Sequence, residues 1–132
     1  MRTIGLVICL LAAISGYSQR VYNSTHTIHM PSHITEDIIR TITFSKNNEY
    51  ILIKSNVDQE SVHLQLMVVK KCSEELFHDG IYQIFECVSA DEIYPTRVLI
   101  RLNNPEYISV IQPSVIKKHG IETFHLKLEV LL

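Results

Sequence analysis

The chain has 132 residues, 46% of them hydrophobic and 20% charged, with four Gly, four Pro and no Trp. That composition excludes collagen-like, low-complexity and wholly disordered chains, and the length allows one domain rather than two. A formal net charge of −2 leaves no basic footprint for a phosphate backbone, so no nucleic acid is expected as a partner.

Residues 1–18 read as a secretory signal peptide. Arg2 supplies a basic start, and Ile4 to Ile14 form an apolar run too short to span a bilayer as a helix. Gly16-Tyr17-Ser18 then places small residues at the −3 and −1 positions of a cut before Gln19. No later stretch reaches the ~18 uninterrupted apolar residues of a spanning helix. The apolar C-terminal end carries Lys127 and Glu129 and reads as a strand, not a lipid-anchor signal. The expectation is a secreted, extracellular protein without a transmembrane anchor, folded as one domain over 19–132.

Asn23-Ser24-Thr25 is a glycosylation acceptor close to the expected new N-terminus. His26, His29 and His33 follow. On a strand 26 and 29 face opposite sides, so they cannot share a metal without a turn, and no metal or cofactor is expected.

The remaining chain reads as short β runs between turn residues. Ile38 to Phe44 is rich in β-branched residues and ends at the polar cluster Ser45–Asn48. Tyr50 to Ile53 follows, then a polar stretch from Ser55 to Ser61. Val62-His63-Leu64-Gln65-Leu66 alternates with period two, which predicts the apolar residues on the core and His63 on solvent. A charged loop is expected after Cys72, ending in the turn signal Asp79-Gly80. Ile81–Val88, Arg97–Leu102 and Tyr107–Ile111 are further strands, separated by Ser89–Pro95 and by Asn103-Asn104-Pro105. Pro113 to Gly120 allows either one short helical turn or a strand end. Phe124 to Val130 alternates cleanly, predicting Phe124, Leu126, Leu128 and Val130 inward and His125 outward.

Cys9 leaves with the signal, and Cys72 and Cys87 remain as an even pair in an oxidising route. A bridge between them would close a loop of about 16 residues, worth roughly 3 kcal/mol in the chain-entropy model. Two free thiols, or pairing with another chain, are the alternatives. Some seven to nine short strands at regular spacing predict an all-β, antiparallel, immunoglobulin-like β-sandwich.

Catalytic signatures are missing. There is no Gly-x-Ser-x-Gly elbow. His78-Asp79-Gly80 lacks the hydroxyl residue of an aspartyl-protease triplet and reads as a turn, and a single Asp cannot form a proton-sharing dyad. No Gly-rich phosphate loop is present, and Lys70-Lys71 and Lys117-Lys118 read as solvated doublets. No catalytic residue is assigned.

Several segments resemble the prolactin-inducible protein and seminal vesicle autoantigen family of small secreted glycoproteins. Leu66-Met67-Val68-Val69-Lys70 looks like the family's Met-Val-Val-Lys strand. Tyr82-Gln83-Ile84-Phe85-Glu86-Cys87 is similar to its Tyr-rich strand ending at a cysteine cluster. Val115 to Ile121 resembles a Val-Ile-Arg-x-x-Gly-Ile segment. The resemblance covers residues 47–132 in order. It departs at cysteine: the family keeps four in two bridges, and its first precedes the Met-Val-Val-Lys strand whereas Cys72 follows it. The resemblance implies an immunoglobulin-like sandwich that binds proteins or cell surfaces, such as immunoglobulin, fibronectin or the sperm surface. An aspartyl-protease activity is attributed to the family, but no residue here supports it. The resulting expectation is a secreted glycoprotein of seminal or exocrine fluid that binds without catalysis. A secreted viral immune-evasion or cytokine-binding β domain is the alternative, and a hydrolase a lesser one.

Overall fold

The computed structural model describes residues 19–58, 60–90, 94–113 and 120–129. Residues 1–18, read above as a signal peptide, most of the segment 113–120, part of the segment 89–95 and Val130 lie outside them. Among the described residues nine strands run in chain order: β1 Arg20–Met30, β2 Thr35–Glu36, β3 Ile39–Phe44, β4 Tyr50–Asn56, β5 Val62–Phe77, β6 Gly80–Ser89, β7 Pro95–Arg101, β8 Tyr107–Pro113 and β9 Ile121–Leu128. No helix among the described residues is long and apolar enough to cross a membrane.

The all-β, antiparallel expectation holds, but the sandwich does not. Each strand from β3 to β9 pairs with its neighbour in sequence, and β9 also pairs with β1, from Ser24↔Leu128 to Met30↔Thr123. The sheet therefore closes into a barrel of eight strands, with β2 a short flap paired to Thr27 and Ile28 of β1. An up-and-down meander with an even strand number brings its last strand antiparallel to its first, so closure needs no crossover. It also removes the two open edges that a flat meander would expose.

The closing strand β1 escaped the sequence reading. Its segment, RVYNSTHTIHM, has no clean apolar alternation, yet Val21, Tyr22, Thr25, Thr27 and Ile28 are all good strand formers. A bulge between Ser24 and His26 resets its phase, so Ser24 and Thr27, three positions apart, are both buried.

The interior at mid-barrel is filled with side chains. Phe44 and Phe85 lie with ring centroids 5.1 Å apart, and Tyr22 meets Phe44 edge-on at 5.7 Å. Ile42, Ile51, Met67, Val98, Ile100, Ile108, Val110, Leu126 and Leu128 complete the packing. Phe124, Leu126 and Leu128 face inward as expected. One end is capped by Arg20, whose guanidinium lies 4.7 Å from the Phe44 ring centroid and donates to Asn48 Oδ1 and Gln83 Oε1, each at 3.1 Å.

The turns follow their chemistry. Ser45 Oγ accepts from the backbone N–H of Glu49 and Tyr50, while Asn47 and Asn48 take left-handed φ of 61° and 55°, which Asn tolerates. The chain turns at His78-Asp79 with Gly80 opening β6, next to the sequence's Asp79-Gly80 signal, but β5 runs on to Phe77 where a charged loop was expected. Lys71–Phe77 pairs with β6 over Gly80–Glu86, and this cross-strand ladder holds the charged residues extended.

Candidate functional site

Two features stand out from this packed body: an apolar outer face and a polar cup at one barrel end. Both arise from one reversal. The alternation in β5 is real, but its phase is opposite to the expected one. Ile51 pairs with Met67 and Ile53 with Gln65. Directly paired residues share a face, so the inward Ile51 and Ile53 carry Met67, Gln65 and His63 inward. The expectation that His63 faces outward is thus corrected as to side: it lies on the cup's side of the wall, where it stays exposed to solvent as expected.

Val62, Leu64, Leu66 and Val68 are consequently turned to the outside, with Leu64 55% and Leu66 38% exposed. Tyr50 pairs with Val68, and Leu52 with Leu66, extending the apolar surface onto β4. Val88 lies opposite Val68 on the other side. The stripe spans three strands, and Lys54, opposite Leu64, interrupts it with charge. Contiguous apolar surface of this kind is uncommon on a monomer unless something docks there. Further along, Lys71–Phe77 has no partner strand on its β4 side among the described residues, and Leu76 near its end is 77% exposed.

The cup lies where β1, β3, β4, β5, β8 and β9 meet at the other end. It is a recess of about 210 Å³ whose apolar floor is Ile53, Val110, Phe124 and Leu126. Arg40 enters its wall, with a side chain only 16% exposed. Arg40 Nε donates to Ser55 Oγ at 2.9 Å and Nη1 donates to Thr27 Oγ1. Nη2 lies 3.9 Å from Glu36 Oε1, beyond hydrogen-bond reach. Glu36 instead accepts from His29 Nε2, whose ring packs edge-on against Phe124 at 4.8 Å. Gln65 Nε2 donates to Gln112 Oε1 at 3.2 Å across the recess. Burial lowers the Arg40 pKa and Glu36 offsets part of that, but a guanidinium stays charged at any physiological pH. None of these residues was singled out as a site from the sequence, except His29 and His63 as solvated imidazoles. The available signal was Arg40, a lone charge inside the otherwise uncharged, β-branched-rich run Ile38–Phe44.

The other sequence-derived residues are placed as follows. Asn23 is exposed on β1, its Oδ1 accepting from Thr41 Oγ1 at 3.4 Å. His26 turns outward, 3.3 Å from Asp37, while His29 turns inward, so the two face opposite sides as expected. His125 lies opposite Ser109 on the outer face and shares a 2.8 Å hydrogen bond with its hydroxyl. Partial burial pulls the His125 pKa down. Asp79 accepts from Tyr82 at 2.7 Å and lies 3.8 Å from Arg101, a turn-fastening role.

The expected Cys72–Cys87 bridge is not formed; both thiols are free, Cys72 exposed and Cys87 buried. Register is the reason. Cys87 lies opposite Val69 and Cys72 opposite Phe85, with a bulge between Val69 and Lys71, so the two cysteines are diagonal neighbours. Diagonal pairs stand roughly 7–8 Å apart, and a disulfide needs its Cβ atoms about 3.8 Å apart. Burial, with smaller contributions from Glu86 and Cys72, pushes the Cys87 thiol up to about 12.

Together the fold and these surfaces define a closed eight-stranded up-and-down barrel with a packed centre, an apolar outer stripe and one polar cup. No family model, curated protein or solved structure matches the chain.

Proposed function

We propose that the chain is an exported, non-catalytic binding protein that engages an extracellular protein or cell-surface partner through the outer face of β4 and β5. The observation that carries this reading is the exposed stripe of Val62, Leu64, Leu66 and Val68 beside Tyr50 and Leu52. Apolar and aromatic side chains held on a rigid sheet lose little conformational freedom on docking, so their burial converts efficiently into affinity. The signal-like start and the exposed Asn23 acceptor support an extracellular setting. The family resemblance adds immunoglobulin, fibronectin and sperm-surface proteins as first partners to try.

The test is a double substitution, Leu64→Ser with Leu66→Ser. Immobilised wild-type protein is expected to retain an immunoglobulin, matrix or cell-surface protein that the variant holds at least about tenfold more weakly, with an unchanged unfolding midpoint. Equal retention by both proteins refutes the assignment of the face. A wild-type dimer in gel filtration that the variant abolishes would replace it with self-association.

A further inference from the structure

We infer that the barrel-end cup is a binding site for a small monocarboxylate with a short apolar tail, its head on Arg40 and its tail against Ile53, Val110, Phe124 and Leu126.

Size comes first. A recess of about 210 Å³ holds some seven waters at ~30 Å³ each, so it suits a ligand of roughly seven to ten non-hydrogen atoms. An extended lipid is too long, because the aromatic pair Phe44 and Phe85 fills the barrel beyond this floor. Eight-stranded barrels are just wide enough either to fill with side chains or to hold one small ligand, and this chain does the first at its centre and leaves room for the second at its end.

Head-group chemistry follows from Arg40. Its Nε and Nη1 are held by the hydroxyls of Ser55 and Thr27, which are 5% and 1% exposed. Those contacts fix the plane of the guanidinium without neutralising it. Its Nη2 has no acceptor within hydrogen-bond distance at Glu36, whose carboxylate is engaged by His29. A guanidinium presents its donors in a fixed fork that matches a carboxylate, and charge-assisted bonds of this kind are roughly twice as strong as neutral ones. A positioned cation above an apolar floor recognises an amphipathic anion rather than a sugar or a cation.

Neighbouring charge limits that anion to a single negative charge. Glu36 stands beside Arg40. With that carboxylate already beside the guanidinium, a second negative charge on a phosphate dianion or a dicarboxylate adds repulsion from Glu36, whereas a monocarboxylate can take the open edge of Arg40.

The experiment is an amide-resolved NMR titration of the purified protein with hexanoate and benzoate, and with hexan-1-ol and hexylamine as matched controls. Saturable shifts from at least one acid, centred on Thr27, Arg40, Ser55 and Phe124, are expected. Hexan-1-ol should bind about tenfold more weakly and hexylamine not at all, since each lacks the charge-assisted head contact. Arg40→Met should abolish the response to acid, and the wild-type shift map stands on its own should that variant fail to fold. Shifts centred elsewhere, no saturation with either acid at about 10 mM, or equal binding of acid and alcohol would overturn the site. The outer-stripe reading is untouched by any of these results, because Leu64 and Leu66 lie on the opposite surface of the wall.

Discussion

Replacing Met67 and Leu64 separately by Ala tests the inside–outside assignment on which both surfaces depend. The two residues lie three apart on β5, and the alternation seen in sequence would make Leu64 the core residue. In the barrel Met67 is wholly buried in the core opposite Ile51, whereas Leu64 stays 55% exposed. Truncating a fully buried Met costs about 2–5 kcal/mol, the cavity included. Leu64 withdraws less than half of its surface from water. Full burial of such a side chain is worth about 1.5–3 kcal/mol, so its truncation costs about 1 kcal/mol or less. A small domain is stable by only about 5–15 kcal/mol, so the difference is measurable. With a urea slope of about 1.5 kcal/mol/M, Met67→Ala lowers the unfolding midpoint by about 2 M and Leu64→Ala by about 0.5 M. Equilibrium urea unfolding followed by far-UV circular dichroism reads both. Equal losses, or a larger one at Leu64, would refute the register of β5 and with it both the outer stripe and the cup.

Thiol chemistry gives a second check. In the chain beginning at Gln19, a disulfide reagent at pH 8 should titrate one thiol, Cys72, in the folded state and both after unfolding, because Cys87 is buried and its thiol is pushed up to about 12. The folded state keeps that proton while the unfolded chain releases it near 9, so stability should fall as pH rises from about 9 to about 12, and Cys87→Val should remove that part of the slope. Two unreactive thiols in the folded protein would contradict the exposure of Cys72. At the β5–β6 turn Gly80 has φ of +137°, and a Cβ there would stand 3.2 Å from Arg101 Cδ. Gly80→Ala should cost about 1–3 kcal/mol in the same urea assay, and a neutral result would mean that the turn can relax.

The period-two alternation around Leu64 and Phe124 was legible in sequence, as were the β-branched runs and the Asp79-Gly80 turn, because strand formation and turn type rest on local backbone preference. The core residues of β9 could be read for the same reason: Phe124, Leu126 and Leu128 share one phase, and between them stand the polar His125 and Lys127. On β5 the pattern offered the same alternation, but only the tertiary structure decided which side was in. A period of two is symmetric, and the choice was made by pairing with Ile51 and Ile53 across the ladder. Closure was equally out of local reach, since β1 meets β9 about a hundred residues later and its bulge at Ser24 hides the periodicity that would have announced it. The bridge between Cys72 and Cys87 fails on register too, since pairing sets Cys72 opposite Phe85, two residues short of Cys87. Chain chemistry determined that strands form and where they turn; long-range pairing determined which faces meet water, and so where a ligand or a partner can sit.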